Sequence, residues 1–390
     1  MEGESLFDRT FNSIKRNKEN KDNGIYNSIP FGIPSLDRQV PGIMKGIVYS
    51  VIAASGVGKT QLTKFLFILQ AYKFVKEHPE LNIKLKIIYF ALEESVEEFM
   101  TNLICNRLKD KYGLTVSSLM LRSMGEFKLS DDILKKVEEC REYFDDMSKY
   151  LDIQDSIYNP TGMYYYCRDY ATANGTHYYR HLKCQDPKED EILTKQQVEA
   201  LNKLEQSNYC YYKYVPNNPN EFVLVVTDHI SLVDIEANTD TKHAAMSKWS
   251  TDYCRKILAK RYNYCIAQIQ QTEMVNDKQQ FSFSGDTIVN KLLPNLSALG
   301  DNKIIGRDYF IVLGVFAPER YQIPEYLGYD ITKLRDNFRS IHLIKNRLGP
   351  TNLVLPTYFN GATNTFMELP PPKSDAMKAI YEAIESSRRK

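Results

Sequence analysis

The chain has 390 residues, 43% of them hydrophobic and 25% charged, with a formal net charge of +1. That usage is globular and excludes a disordered or low-complexity chain. Near-neutral charge excludes a global field drawing the protein to nucleic acid or a membrane, so any polyanion site must be a local cluster. Seven cysteines, scattered from Cys105 to Cys265 with no CxxC pair, read as reduced thiols and not as a disulfide framework. No apolar run approaches ~18 residues, so no spanning helix is expected, and MEGESLFDRTFNS at the start carries no cleavage signal. The expectation is a soluble, cytoplasmic protein with no membrane partner.

Residues 1–28 are polar apart from Phe7, Phe11 and Ile14, whose i, i+4, i+7 spacing predicts a short helix with one apolar stripe. KENKDNG (18–24) reads as a tether, so the stripe is expected to dock on a neighbouring subunit. From residue 29 the texture changes, and 29–370 reads as one domain. FGIPSLDRQVPGIMKG (31–46) is rich in turns. IVYSVIA (47–53) is a β-branched strand, followed by the loop AASGVGKT (53–60) and an apolar helix (61–78). LKIIYFAL (85–92) is a second buried strand and 95–108 a second helix. Apolar strands alternating with helices predict an α/β fold, a mostly parallel sheet covered on both faces.

Two amphipathic helices are expected within 113–150 and a short strand at 150–155. A helix follows from 160, opened by Asn159 as its cap and Pro160 at its first position. Residues 174–219, rich in Tyr and Asn with little periodicity, read as an insertion: a long loop plus one helix at 195–206. Strands are expected at 221–233, 263–271 and 308–317, a helix at 246–262, a polar loop at 272–303, and a hairpin at 340–359 turning at RLGPT. Residues 371–390 are a helical tail.

The loop at 53–60 is the strongest chemical signal. Gly56 and Gly58 let the backbone turn its N–H groups around phosphate oxygens. Lys59 brings a positive charge to the β- and γ-phosphates, Thr60 offers a hydroxyl to Mg²⁺, and the following helix adds its N-terminal dipole. Ser55, Gly56, Val57, Gly58, Lys59, Thr60 and Gln61 are therefore the expected nucleotide contacts. Asp228, closing the strand FVLVVTD, is placed to hold Mg²⁺ through water. Glu93 and Glu94 follow a strand beside the loop. Glu93 is read as the base that orients water and Glu94 as a helix cap. Gln268, read as a strand end, is a candidate γ-phosphate sensor. Lys345 and Arg347, near the hairpin tip, suit a cation donated to a neighbour's phosphates; a solvated tip fits the same spacing.

These pieces, in this order, resemble the RecA-like motor of DnaB-type hexameric replicative helicases, including the helicase half of phage primase-helicases and Twinkle. The resemblance spans roughly residues 30–370. AASGVGKT is similar to the family's Walker A segment, and YFALEES to the segment carrying the catalytic base, which falls on Glu93. VVTDHISLV is similar to the Walker B segment, with the metal role on Asp228, and IAQIQQ to the strand ending in the sensor Gln, here Gln268. KNRLGPT is similar to the hairpin that supplies Lys345 and Arg347 to the neighbouring subunit. Three departures stand out: no room for a primase or helical N-terminal domain ahead of the core, the insertion at 174–219, and Ala267 and Gln271 where Ser and Arg are usual.

The resemblance implies ATP and Mg²⁺ as cofactors, a homo-oligomeric ring, expected to be a hexamer, single-stranded DNA as substrate, and a separate primase or loader. By position the channel loops are 234–248 and 272–295. Their candidate DNA contacts are Lys242, Lys248, Lys278 and Lys291 for phosphates, with Phe281 and Phe283 for bases. A RecA/RadA- or KaiC-like ATPase that binds DNA or protein without unwinding is the alternative. In the insertion, Cys167, His177, His181 and Cys184 have the residue types of a zinc site, but the Cys167–His177 gap lacks a tight knuckle.

Overall fold

Runs of β-branched and aromatic residues form the strands at the centre of the molecule; its computed structural model describes residues 6–23, 27–184, 187–237, 239–272, 289–299 and 305–388. In chain order the strands longer than two residues are β1 (Val48–Ala53), β2 (Lys84–Ala91), β3 (Leu151–Gln154), β4 (Gly175–His181), β5 (Ile192–Thr194), β6 (Tyr209–Pro216), β7 (Glu221–Asp228), β8 (Cys265–Gln271), β9 (Ile311–Phe316), β10 (Phe338–Asn346), β11 (Val354–Asn360) and β12 (Thr365–Glu368). A nine-stranded sheet has the order β12-β11-β10-β9-β1-β8-β7-β2-β3. From β9 to β3 the neighbours are parallel, and β10, β11 and β12 complete one edge antiparallel. Strands β1, β7 and β9 are buried at every residue, as strands covered on both faces must be.

Side chains alternate between two cores, as the pleat requires. Tyr49 and Val51 of β1 face one core with Phe67 and Phe99, while Val48 and Ile52 face the other with Met163, Trp249 and Leu258. The first is covered by α2, which follows the phosphate loop as Lys59–Lys64, a π turn at Phe65–Leu69 and Gln70–Glu77, and by α3 (Val96–Tyr112). The second is covered by α4 (Pro160–Asn174) and by α5, which starts as Lys242–Ser247 and continues as a π helix over Lys248–Ala259. Trp249 is fully buried, edge-on to Phe90 at 5.6 Å between ring centroids, and its indole N–H donates to Thr227 Oγ1 at 3.0 Å.

Three local expectations are corrected. Glu94 is not a cap: Ser95 caps α3, its hydroxyl accepting from Glu98 N at 3.2 Å in a capping box, because a hydroxyl one residue later fits the cap geometry better. Asn159 stands at the N-cap of α4, but its side chain does not cap: Glu236 accepts from Thr161 N at 3.1 Å in its place, and from the Asn159 amide as well. The insertion is not a loop with one helix. It folds as a three-stranded antiparallel sheet, β5-β4-β6, and 195–206 breaks into Lys195–Glu199 and Lys203–Gln206. The register of β4 and β6 shifts between Tyr178 and Tyr179, and that irregularity interrupts the period-two pattern that would have marked the strands. The N-terminal helix α1 (Leu6–Asp22) leaves Phe7, Phe11 and Ile14 exposed, Phe7 at 72%. The tail forms a helix over Asp375–Arg388, packed through Met377 and Ile384. No helix among the described residues is long and apolar enough to cross a membrane.

Candidate active site

Parallel register brings the chemistry to one end of the sheet. Gln271 lies opposite Ala53 and Ala91 opposite Asp228, so β1, β2, β7 and β8 all finish together. Beyond β1 the chain turns with Gly56 at φ +72° and Gly58 at φ +110°, conformations that L side chains resist. Gly58 then starts α2, presenting the unpaired N–H groups of a helix N-terminus. A Cβ at Gly58 would only touch the Phe359 ring, at 3.4 Å, so it is the backbone conformation and not space that calls for glycine there. Lys59 is almost wholly buried within this turn.

Thr60 and Asp228 converge. The Thr60 hydroxyl donates to Asp228 Oδ1 at 3.3 Å, and buried Tyr89 donates its O–H to Oδ2 at 2.8 Å. Burial pushes the Asp228 carboxyl up to about 6, with the Tyr89 bond opposing and the nearby Glu94 and Glu93 charges adding to the rise. A carboxylate this desolvated, beside a hydroxyl and below a turn of free N–H groups, fits a divalent cation carried by a polyphosphate. Glu93 stands exposed just past β2, beside the point where Leu92 N donates to Asp228 O at 2.6 Å. Glu94 turns the other way into an ion pair with Lys64 of α2, 2.6 Å apart, with Lys64 only 2% exposed and lying 4.2 Å from the Phe99 ring centroid. The pair ties the phosphate-loop helix to the segment bearing Glu93.

Gln268 is placed elsewhere than at a strand end. It is fully buried within β8, opposite Ser50 and Thr227, and its Oε1 accepts from Ser250 at 2.9 Å. The strand runs on to Gln271, whose side chain bonds His229, the residue after Asp228. Burial, then the Lys59 charge, hold the His229 imidazole down at about 4, so it is neutral at physiological pH.

Lys345 and Arg347 lie far from this cluster. Asn346 pairs with Ile311, which sits opposite Tyr49, near the start of β1, whereas Ser340 pairs with Phe316 at the phosphate-loop end. Lys345 donates to Gly306 O at 2.8 Å; burial and the Arg347 charge hold its ammonium below the usual lysine range. Arg347 is exposed, its guanidinium 4.8 Å from the Phe310 ring centroid and donating to Arg307 O at 2.7 Å. Two other arginines, missed in the sequence, do meet the chain's own loop. Arg320 donates to Ser55 O. Arg339 is 2% exposed, stacks 4.6 Å from the Phe359 centroid and donates through Nε to Val57 O at 2.7 Å. An arginine inside the buried strand FRSIHLI was the available signal, since arginine is rarely buried without a partner.

Of the channel-loop candidates, Lys242 lies 4.0 Å from Asp234, and Lys248 is paired with Glu236. Lys291 is exposed in a short turn at Val289–Lys291. Lys278, Phe281 and Phe283 fall outside the described residues. No group of three or more His, Cys, Asp or Glu among the described residues is arranged to hold a metal, so Cys167, His177, His181 and Cys184 do not converge, Cys167 being sealed in the core on α4. None of the seven cysteines is in a disulfide.

No protein-family model and no curated protein matches the chain. Among solved structures it is similar to the ATPase domain of a helicase, with a TM-score of 0.63 and 16% identity over 94% of this chain and 99% of that one. It is also similar to a DnaB-like replicative helicase, described with its interactions with primase, at a TM-score of 0.61 and 16% identity, over 92% of this chain and 67% of that one. The chain therefore has the RecA-like α/β fold of the DnaB-type helicase ATPase domain. At this identity the likeness is one of fold, and function rests on the site.

Proposed function

We propose that the protein is an ATP-dependent DNA helicase: a ring-forming motor, hexameric like the family it resembles, that moves on single-stranded DNA. One observation carries the reading. Thr60, Asp228 and Glu93 gather at the phosphate-loop end of the sheet, while Arg347 stands exposed at the other end, so a neighbouring copy is the arginine's natural target. ATP would be held by Ser55–Gln61 backbone N–H groups and Lys59, with Thr60 and Asp228 holding Mg²⁺, which neutralises charge on the β- and γ-phosphates. Glu93 orients the attacking water and takes its proton. Gln271, beside His229, takes the sensing role first read on Gln268. Arg347 of the adjacent subunit stabilises charge on the transferring phosphoryl group. The exposed Phe7, Phe11 and Ile14 stripe supports docking of the N-terminal helix on that neighbour. Residues 29–370 would be the motor, 1–28 the linker and 371–390 a packed tail, with a separate primase or loader as partner.

Mixing tests the shared site. Arg347→Ala and Lys59→Ala proteins should each be inactive in ATP hydrolysis, and mixtures should regain activity, greatest near equal amounts. No recovery at any ratio, with both variants forming rings, would count against it.

A further inference from the structure

The insertion carries an outward face that the ATPase reading does not use. Its inner side, His177, Tyr211 and Tyr214, packs toward Tyr262 and Arg261. The shift in register between β4 and β6 leaves Tyr212 beside Lys213 on the other side. There rings and cations alternate: Lys213 Nζ lies 5.6 Å from the Tyr178 centroid and 5.7 Å from that of Tyr212, and the Arg180 guanidinium lies 6.0 Å from Tyr212. None of the four side chains is buried, and Lys213 is exposed. Arg180 donates to the carbonyl of Cys184, and among the described residues no carboxylate pairs with either cation. Lys242 and Lys248, by contrast, are matched with Asp234 and Glu236.

Cations resting on rings instead of carboxylates keep their charge available to phosphates, and the ring faces are available to bases. An acidic protein would need charge here but not two rings flanking one lysine. We propose that Tyr178, Lys213, Tyr212 and Arg180 form a stacking platform for single-stranded DNA, outside the ring's channel loops. That the strand is DNA rests on the helicase reading; the platform's chemistry does not. The insertion adjoins the N-terminal ends of the parallel strands, where Lys84 of β2 donates to Asn174 Oδ1 at 2.8 Å and β7 follows β6. The platform therefore lies at the opposite end of the sheet from the phosphate loop, and its occupancy leaves the nucleotide site open.

The test is fluorescence anisotropy of labelled oligo(dT) on the full chain, with and without a non-hydrolysed ATP analogue. Tyr178→Ala and Tyr212→Ala should each weaken binding roughly tenfold, and Tyr178→Phe should bind like the wild type because the ring face remains. Lys213→Glu should weaken binding and reduce the slope of log K against log salt by about 0.7. ATP hydrolysis without DNA should be unchanged in all four. Wild-type binding by both alanine variants overturns the proposal, as does a Tyr178→Phe protein as weak as Tyr178→Ala, or losses seen only for a protein partner. If the alanine variants bind as wild type while forks are still unwound, the platform falls and the helicase reading stands. If they lose oligo(dT) binding in a protein that never unwinds a fork, the helicase reading falls and the platform stands.

Discussion

Glu93 and Glu94 are adjacent, identical in sequence chemistry and opposite in placement. Glu94 is pulled back onto Lys64, while Glu93 is left at the surface beside Asp228. The division of labour proposed for them rests on that geometry. Glu93→Gln should lower steady-state hydrolysis by about 10²–10⁴ with nucleotide affinity retained, measured by phosphate release and fluorescent-nucleotide titration; hydrolysis at the normal rate would remove the residue from the mechanism. Lys64→Met should leave Glu94 largely buried without its cation, costing about 3 kcal/mol of stability in a denaturant melt. It should also lower kcat more than it changes KM, because the segment bearing Glu93 loses its tie to α2. That Lys59, Thr60, Asp228 and Glu93 lie at one end of the sheet was legible because each belongs to a pattern with a local signature. The contacts of Gln271, Arg339 and Tyr89 were not, because they arise from register between strands distant in sequence.

At the scale of elements, periodicity named most helices and strands of the parallel sheet within a few residues, since buried apolar runs are strong signals. It failed in the insertion, where the extra residue on β6 breaks the alternation, and at β12, a four-residue edge strand with only Phe366 buried. The anchor between β7, β2 and α5 is Trp249, which contacts Phe90 and Thr227. Trp249→Ala should cost about 3–5 kcal/mol in a denaturant melt and reduce soluble yield; a cost below ~1 kcal/mol would mean that the cavity collapses without loss.

The molecule as a whole should be sensitive to mild acid. His342 is buried within β10, its ring nitrogen 2.9 Å from the Ser340 hydroxyl, and burial holds its imidazole at about 4. Between pH ~6.5 and 4 the unfolded chain then binds a proton that the folded chain refuses, so stability falls as pH falls through that window. His229 acts in the same sense. Asp228, raised to about 6, acts in the opposite one, since its folded form takes up a proton first. The His342→Gln variant isolates the single group: its loss of stability between pH 7 and 5 should be smaller than that of the wild type in parallel denaturant melts, and an equal loss would contradict the assignment. Fold class and the placement of the phosphate-loop residues could be read from one chain's sequence. The hairpin left two readings from spacing alone, a cation for a neighbour's phosphates or a solvated tip, because the end of the sheet that its tip occupies depends on strand register.

The most direct test of the motor is strand separation on a forked duplex with a single-stranded tail, using the full chain with ATP and Mg²⁺. Unwinding that requires hydrolysable ATP and disappears in Glu93→Gln and Arg347→Ala proteins is the predicted result. DNA-stimulated hydrolysis with no strand separation, even when a primase or loader is supplied, would contradict it.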